Sequence, residues 1–400
     1  MKSVLSSIQN SFRKKSRLST ENLIYTIDMG TTSLKVILLE LRENRQFSII
    51  DQSIIPYGGS LTPKSFNRDQ LRDLLHKTFR MIERHYGLDL SERKALLTLP
   101  MSEYTTEIIT VQSVASESVI TAGQKIELIN KAKELCEGTM VLHTIPLKFY
   151  VDQKITRDPV GQPGNELAME IMLIGYNEYL YEQIRSLMKE LGVSVGKYVA
   201  PPLAFINYYL NMPHPKEDDP LILDFGGESI YCYGTKDDML VNFINLPHGS
   251  ELITRDIAKV MKVDPVTAKR LKEDYVDFYT RKSPDAALEI DQNLLHDVVQ
   301  ARYEEFLDWI EAHPSFETMK ALAKKVILLG NGHPQKSEIL LQKRWGLPVI
   351  ALEATFPDKG YLSSIGLIHY AINNDIYNPT VSRKQEGFKN KLAQVVEDLF

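Results

Sequence analysis

Cysteine is nearly absent. The 400 residues hold two, Cys136 and Cys232. That excludes a disulfide framework and a thiolate metal site, and it suits a reducing cytosol. Long apolar runs are missing as well. No stretch approaches the ~18 apolar residues of a transmembrane helix, so none is expected. The opening "MKSVLSSIQNSFRKKSR" lacks the apolar centre of a secretion signal. An excess of positive charge is also lacking. The net charge is −5, which argues against broad nucleic-acid binding. Walker A, HExxH and paired CxxC patterns do not occur, so the chemistries those spacings carry have no local signature here.

What is present is an α/β pattern. Four hundred residues exceed one average core, so two or more domains are expected. A hydrophobic share of 43% and a charged share of 25% describe a soluble globular protein. Residues 1–22 are Ser-rich and basic and read as a tail, with a short interfacial helix as the alternative. "LIYTID", "LKVILLEL" and "FSIIDQSII" read as a strand meander, and "RDQLRDLLHKTFRMIERHYG" as a helix stopping at Gly87. Strands and helices then alternate through "KALLTLP", "EIITVQSV", "TAGQKIELINKAKELCEG", "MVLHTIPLKFYVD", "LAMEIMLIG" and "NEYLYEQIRSLMKELG". Such alternation implies a mixed sheet in an α/β core.

Three Gly-containing turns stand out. In "YTIDMGTTSLKVILLEL" an apolar strand ends in Asp28, Gly30, Thr31 and Thr32, and a second strand carries Lys35. Glycine lets a backbone approach a ligand closely. Successive N–H groups in a tight turn form an anion nest, and the threonine hydroxyls add donors. Asp28 suits the water shell of a magnesium ion, which prefers carboxylate and water oxygen. "PLILDFGGESIYCYG" repeats the pattern with Asp224, Gly226, Gly227 and Ser229. Two such hairpins half a chain apart suggest a duplicated domain whose loops clamp phosphate from both sides. A third turn, Gly330-Asn331-Gly332, follows the buried strand in "KKVILLGNGHPQKSEILLQKRWG". A flat ring can lie against such a backbone.

With these three turns the chain resembles the actin/Hsp70/sugar-kinase ATPase superfamily. Within it, "VLHTIPLKFYVDQKITRDPVGQPGNELAMEIMLIG", "LPHGSELITRDIAKVMKV", "VVQARYEEFLDWIE" and "FPDKGYLSSIGLIHYA" resemble the FtsA family of bacterial cell-division actin homologues. The resemblance implies an actin-like ATPase fold, with two related α/β domains around a nucleotide cleft and a small inserted subdomain of the cell-division type. It implies a flexible tail at 1–22 and subdomain 1A at 23–90, 168–203 and 356–377. It places the insert, 1C, at 91–167, subdomain 2A at 204–250 and 321–355, and 2B at 251–320, with a linker and terminal helix at 378–400. It implies ATP and Mg²⁺ as cofactors. Asp28, Gly30, Thr31, Thr32 and Lys35 would form the first phosphate loop, and Asp224, Gly226, Gly227 and Ser229 the second. Asp28 and Asp224 would hold the metal through water. Gly330, Asn331 and Gly332 would form the adenosine turn. Arg302 and Glu305, three apart on one helix face, would approach adenine and ribose, or else form a solvated ion pair.

Two departures bear on activity. Glu228 and Ser229 stand where that family usually has glycine and threonine. Residues 198–205, "YVAPPLAF", offer no carboxylate or amide to position water. Phosphoryl transfer needs a placed nucleophile, so weak or absent hydrolysis is expected. At the other end, Phe388, Leu392, Val395, Val396 and Leu399 form one apolar helical stripe beside Lys389 and Lys391. That pattern predicts a membrane-surface helix, with a helix packed on its own domain as the alternative and the basic N-terminus as rival anchor. The resemblance further implies filaments on the inner face of the cell membrane and a tether for FtsZ, a tubulin homologue. A pilus-assembly protein like PilM, or a small-molecule kinase of the superfamily, are the alternatives.

Overall fold

The structure is a computed structural model that describes residues 22–30, 33–42, 46–57, 61, 64–114, 118–136, 138–211, 219–275, 291–330, 332–352, 361–374 and 376. Strands β1 (Leu23–Met29), β2 (Ser33–Leu41) and β3 (Phe47–Pro56) form an antiparallel meander. Every residue of β1 is buried, as expected of a central strand covered on both faces. Helix α1 (Arg68–Tyr86) leads to β4 (Lys94–Thr98), which lies parallel to β1. Asn67 caps α1 by accepting from the Gln70 N–H, and Gly87 ends it at φ 65°. Leu71, Leu75, Phe79 and Ile82 form its buried stripe; each such side chain contributes about 1.5–3 kcal/mol on burial.

The chain then leaves this sheet. Strand β5 (Tyr104–Val114), helix α2 (Ala122–Glu134) and strands β6 (Thr139–Val151), β7 (Lys154–Thr156) and β8 (Glu166–Asn177) build a separate four-stranded sheet in the order β5-β8-β6-β7. Thr121 and Gln124 close a capping box on α2, whose Leu128, Ile129 and Ala132 join Met169, Ile171 and Leu173 in a core of their own. This sheet runs from Tyr104 to Asn177, whereas the resemblance implies an insert at 91–167. The difference has a simple cause. Apolar alternation marks a strand but not the sheet it joins, and β4 pairs with β1 while β8 pairs with β5 and β6.

Helix α3 (Glu178–Glu190) returns the chain to β9 (Ser194–Tyr198), which completes a first sheet ordered β3-β2-β1-β4-β9. Helix α4 (Pro201–Leu210) follows. Its start is fixed by His143 of β6, whose Nε2 accepts the Ala200 N–H at 3.0 Å. Burial pushes that imidazole down to about 3, so it is neutral and structural.

The second domain repeats the first. Strands β10 (Pro220–Phe225), β11 (Ile230–Lys236) and β12 (Met239–Leu246) form an antiparallel meander. Helices α5 (Ser250–Met261), α6 (Pro265–Tyr275), α7 (Gln292–Glu311) and α8 (Phe316–Leu322) precede β13 (Lys325–Leu329), and α9 (Ser337–Trp345) precedes β14 (Val349–Ala351). The sheet order β12-β11-β10-β13-β14 matches that of the first domain position for position. Helix α10 (Leu362–Asn373) then packs on α4. Gly366 permits it, since a Cβ there would lie 2.1 Å from the Ala204 carbonyl oxygen. Ile222, Tyr231, Tyr233, Leu240 and Phe243 of the second domain share a core cluster with the first.

Candidate functional site

Asp28 sits at the C-terminal end of β1, where the strand emerges from the core. Its register partners are Lys35 on β2 and Thr98 on β4. The Lys35 Nζ lies 3.1 Å from Asp28 Oδ2, and the Thr98 hydroxyl donates to Oδ1 at 2.5 Å. The Asp28 residue is 5% exposed. A buried charge without partners would be very costly; here one cation and one hydroxyl balance it. Gly30 is obligatory, because a Cβ would stand 2.9 Å from the Ser33 carbonyl oxygen.

The second hairpin has the same spacing. Asp224 pairs with Tyr231 across β10 and β11, as Asp28 pairs with Lys35. A Cβ on Gly226 would meet the Ser229 carbonyl oxygen at 2.8 Å, and the Gly226 N–H donates to that oxygen at 2.9 Å. The Tyr233 hydroxyl donates to Asp224 Oδ2 at 3.4 Å. Burial pushes the Asp224 carboxyl up to about 6; Lys35 and Tyr233 oppose the rise and the charge of Asp28 adds to it. Asp28 and Lys35 belong to the first domain, so the two turns lie close enough for their charges to act on one another.

The third turn closes on the second hairpin. Gly330 has φ 80°, and a Cβ would fall 2.1 Å from the Phe225 carbonyl oxygen. The Gly332 N–H donates to that oxygen at 3.0 Å. Helix α5 begins against the same loop. The N–H groups of Ser250 and Glu251 donate to the carbonyls of Gly226 and Gly227 at 3.0 and 2.8 Å. Gly249 allows the approach, since its Cβ would be 2.5 Å from the Gly227 oxygen. Lys272 of α6 lies behind this helix start and donates to Thr254 Oγ1 at 2.9 Å and to the Ser250 carbonyl at 3.2 Å. Burial lowers its pKa.

The fold therefore gathers Asp28, Gly30, Lys35, Asp224, Gly226, Gly227, Ser229, Gly330 and Gly332 around one cleft. Thr31, Thr32 and Asn331 lie outside the described residues, as do Phe388, Leu392, Val395, Val396 and Leu399 and the tail 1–21. Arg302 and Glu305 come together on α7. The Arg302 guanidinium bonds Glu305 and, at 2.5 Å, Asp256 of α5. Both contacts are made within the second domain. Sequence reading missed Ser33, Thr98, Gly249, Tyr233 and Lys272. Only Ser33 had a signal, because it stands five residues after Asp28 as Ser229 stands five after Asp224.

These residues fit a nucleotide with magnesium. Among the described residues no cluster of three or more His, Cys, Asp or Glu could enclose a metal alone. Two carboxylates beside glycine-lined backbone suit an ion that keeps its waters and takes phosphate oxygens. Among the described residues no helix is long and apolar enough to cross a membrane.

Two domains of one topology around this cleft, with a four-stranded insertion, define an actin-like ATPase fold. Comparison with known proteins agrees and narrows it. A family profile described as the SHS2 domain inserted in FtsA matches residues 102–175. The chain is 24% identical to FtsA of Streptococcus pneumoniae over 331 residues, covering 78% of this chain and 71% of that protein. It is 23% identical to FtsA of Bacillus subtilis over 398 residues, covering 93% and 88%. A solved structure of a PilM–PilN type IV pilus biogenesis complex superposes with a TM-score of 0.61 at 14% identity, over 87% of this chain and 98% of that one. At that identity the likeness is one of fold. In sequence, the likeness is to FtsA, an actin-like ATPase family member.

Proposed function

We propose that the chain is an actin-like cell-division protein that binds ATP with Mg²⁺ between its two hairpins. It assembles into filaments on the inner face of the cell membrane and tethers an FtsZ-like tubulin homologue there. The observation that supports this reading most is the inserted four-stranded domain, matched by the SHS2 profile at residues 102–175. Gly30, Thr31, Thr32 and Lys35 would hold the phosphates from one side, and Gly226, Gly227 and Ser229 from the other. Gly330, Asn331 and Gly332 would take the adenosine, with Arg302 and Glu305 near adenine and ribose. Asp28 and Asp224 would orient the waters of the magnesium ion, which offsets phosphate charge. Turnover is slow or absent, since residues 198–205 carry no carboxylate or amide to place a water.

Membrane attachment falls to residues 387–400, through Phe388, Leu392, Val395, Val396 and Leu399. Each buried CH₂ contributes about 0.8 kcal/mol, so one short helix binds reversibly and assembly supplies avidity. The test is sedimentation with anionic vesicles alongside ATP calorimetry. The double variant Phe388→Asp, Leu392→Asp should leave the vesicles and keep its ATP affinity. Asp28→Ala should lose the ATP heat. Release from vesicles on deleting residues 1–20, with no effect of the Asp pair, would place the anchor at the other end.

A further inference from the structure

The second hairpin differs from the first at the position opposite its aspartate. Lys35 in the first is Tyr231 in the second, each the register partner of the hairpin's aspartate. Tyr231 is 1% exposed. It belongs to a buried aromatic group reaching from the cleft to the inserted domain. Tyr233 bonds Asp224, and its ring lies 5.9 Å from that of Tyr231. Tyr231 is close enough to Tyr104 for their hydroxyls to act on one another. Tyr104 stacks edge-on against Tyr176 with ring centroids 4.8 Å apart. Tyr104 opens β5 and Tyr176 stands at the end of β8, the two strands at the root of the insert.

This root is tied to both domains. The Tyr104 hydroxyl accepts from the Leu99 N–H and donates to the Val199 carbonyl, both in the first domain. Asn245, the β12 partner of Tyr231, donates from Nδ2 to the Tyr104 carbonyl at 3.0 Å and to the Ser102 carbonyl at 3.4 Å. The joint is also incompletely satisfied. The Tyr176 hydroxyl and Asn245 Oδ1 are buried with no hydrogen-bond partner among the described residues. The Tyr231 hydroxyl lies beside Ser229 of the second loop without a bond that satisfies it. Buried polar groups are normally paired, and an unpaired set favours any rearrangement that pairs it.

We infer that Tyr231 and Asn245 form a joint through which the occupied cleft repositions the inserted domain. The inference rests on the nucleotide reading above. Phosphate at the second loop moves Ser229, Ser229 sets the Tyr231 hydroxyl, and the β11–β12 pair carries the shift to Ser102 and Tyr104 at the insert's root. Packed interiors pass small displacements on rather than absorbing them.

Hydrogen exchange on the full chain with and without Mg-ATP tests it, with calorimetry on the same samples. In the unaltered protein, ATP should slow exchange at residues 28–35 and 224–229 and also change the rate at 104–114 and 166–177, by roughly twofold or more. Tyr231→Phe keeps the ring and removes the hydroxyl; Asn245→Ala cuts the second tie. Both should keep ATP affinity within about twofold and lose the change at 104–114 and 166–177. Protection of the loops with no response in the insert overturns the joint alone. An undiminished response in both variants overturns it too. No heat of binding and no protection anywhere overturns the nucleotide reading, and the joint with it.

Discussion

The two hairpins are one backbone design with two electrostatic solutions. Each has an aspartate at a strand end, a glycine two residues on, and a serine carbonyl packed under that glycine. Across from the aspartate the first hairpin has Lys35 and the second Tyr231. The first is therefore neutralised locally, by Lys35 at 3.1 Å and the Thr98 hydroxyl at 2.5 Å. The second is left with a long bond from Tyr233, and with Lys35 acting from the other domain. Duplication kept what the backbone needs and released what the charge balance needed. One lysine consequently serves two carboxylates, and its effect on the second depends on the domains facing each other.

The backbone half of this comparison is tested most severely at the glycines. Gly226→Val places a Cβ 2.8 Å from the Ser229 oxygen, and Gly30→Val one 2.9 Å from the Ser33 oxygen. Overpacking of this kind costs about 1–3 kcal/mol, which is roughly 5- to 150-fold in affinity. Calorimetry should show ATP binding weakened by that order in both variants. If only one of the pair loses affinity, the loops are not equivalent and the clamp is one-sided.

The charge half predicts a pH signature. The Asp224 carboxyl is held at about 6 against an ordinary value of 3.8. The folded state thus holds this proton more tightly than the unfolded chain does. Stability from this group is fully present below pH ~4 and is lost as pH rises through ~6. The loss amounts to at most about 3 kcal/mol, because a tenfold change in proton affinity corresponds to about 1.4 kcal/mol. Asp224→Asn removes the titration. Without nucleotide, the variant should melt higher than the unaltered protein at pH 8 and match it near pH 4. A gain of equal size at both pH values would show that packing, not charge, is responsible.

The hairpins are legible in the sequence because everything in them is local. Strand, aspartate, glycine and return strand fall within 17 residues, "YTIDMGTTSLKVILLEL". Residue types match Ser229 to Thr32; the register, which compares positions, matches it to Ser33. Thr98, Gly249 and Lys272 have no local signature. Each reaches the cleft because a distant strand or helix start packs there, which periodicity does not encode. The boundaries of the insert differ for the same reason. Spacing alone puts Arg302 and Glu305 on one helical face, yet what lies opposite that face, Asp256 of α5, is a tertiary fact.

The smallest effect separates the two aspartates' hydrogen bonds. Thr98→Val removes a short bond to a buried carboxylate and keeps the side chain's shape. Hydrogen bonds to charged groups contribute about 1.5–3 kcal/mol, so this variant should melt measurably lower near neutral pH. Tyr233→Phe removes a bond of 3.4 Å, near the outer limit of a useful contact. Its cost should be under ~0.5 kcal/mol, as for a weak neutral donor. The direction with pH still identifies it. The bond holds the Asp224 carboxyl down, so its loss raises that carboxyl further and the deficit grows as pH rises through 6. Thermal melts at pH 5 and pH 8 on both variants suffice. If Tyr233→Phe costs as much as Thr98→Val, the second aspartate is held as tightly as the first, and the contrast between the hairpins does not stand.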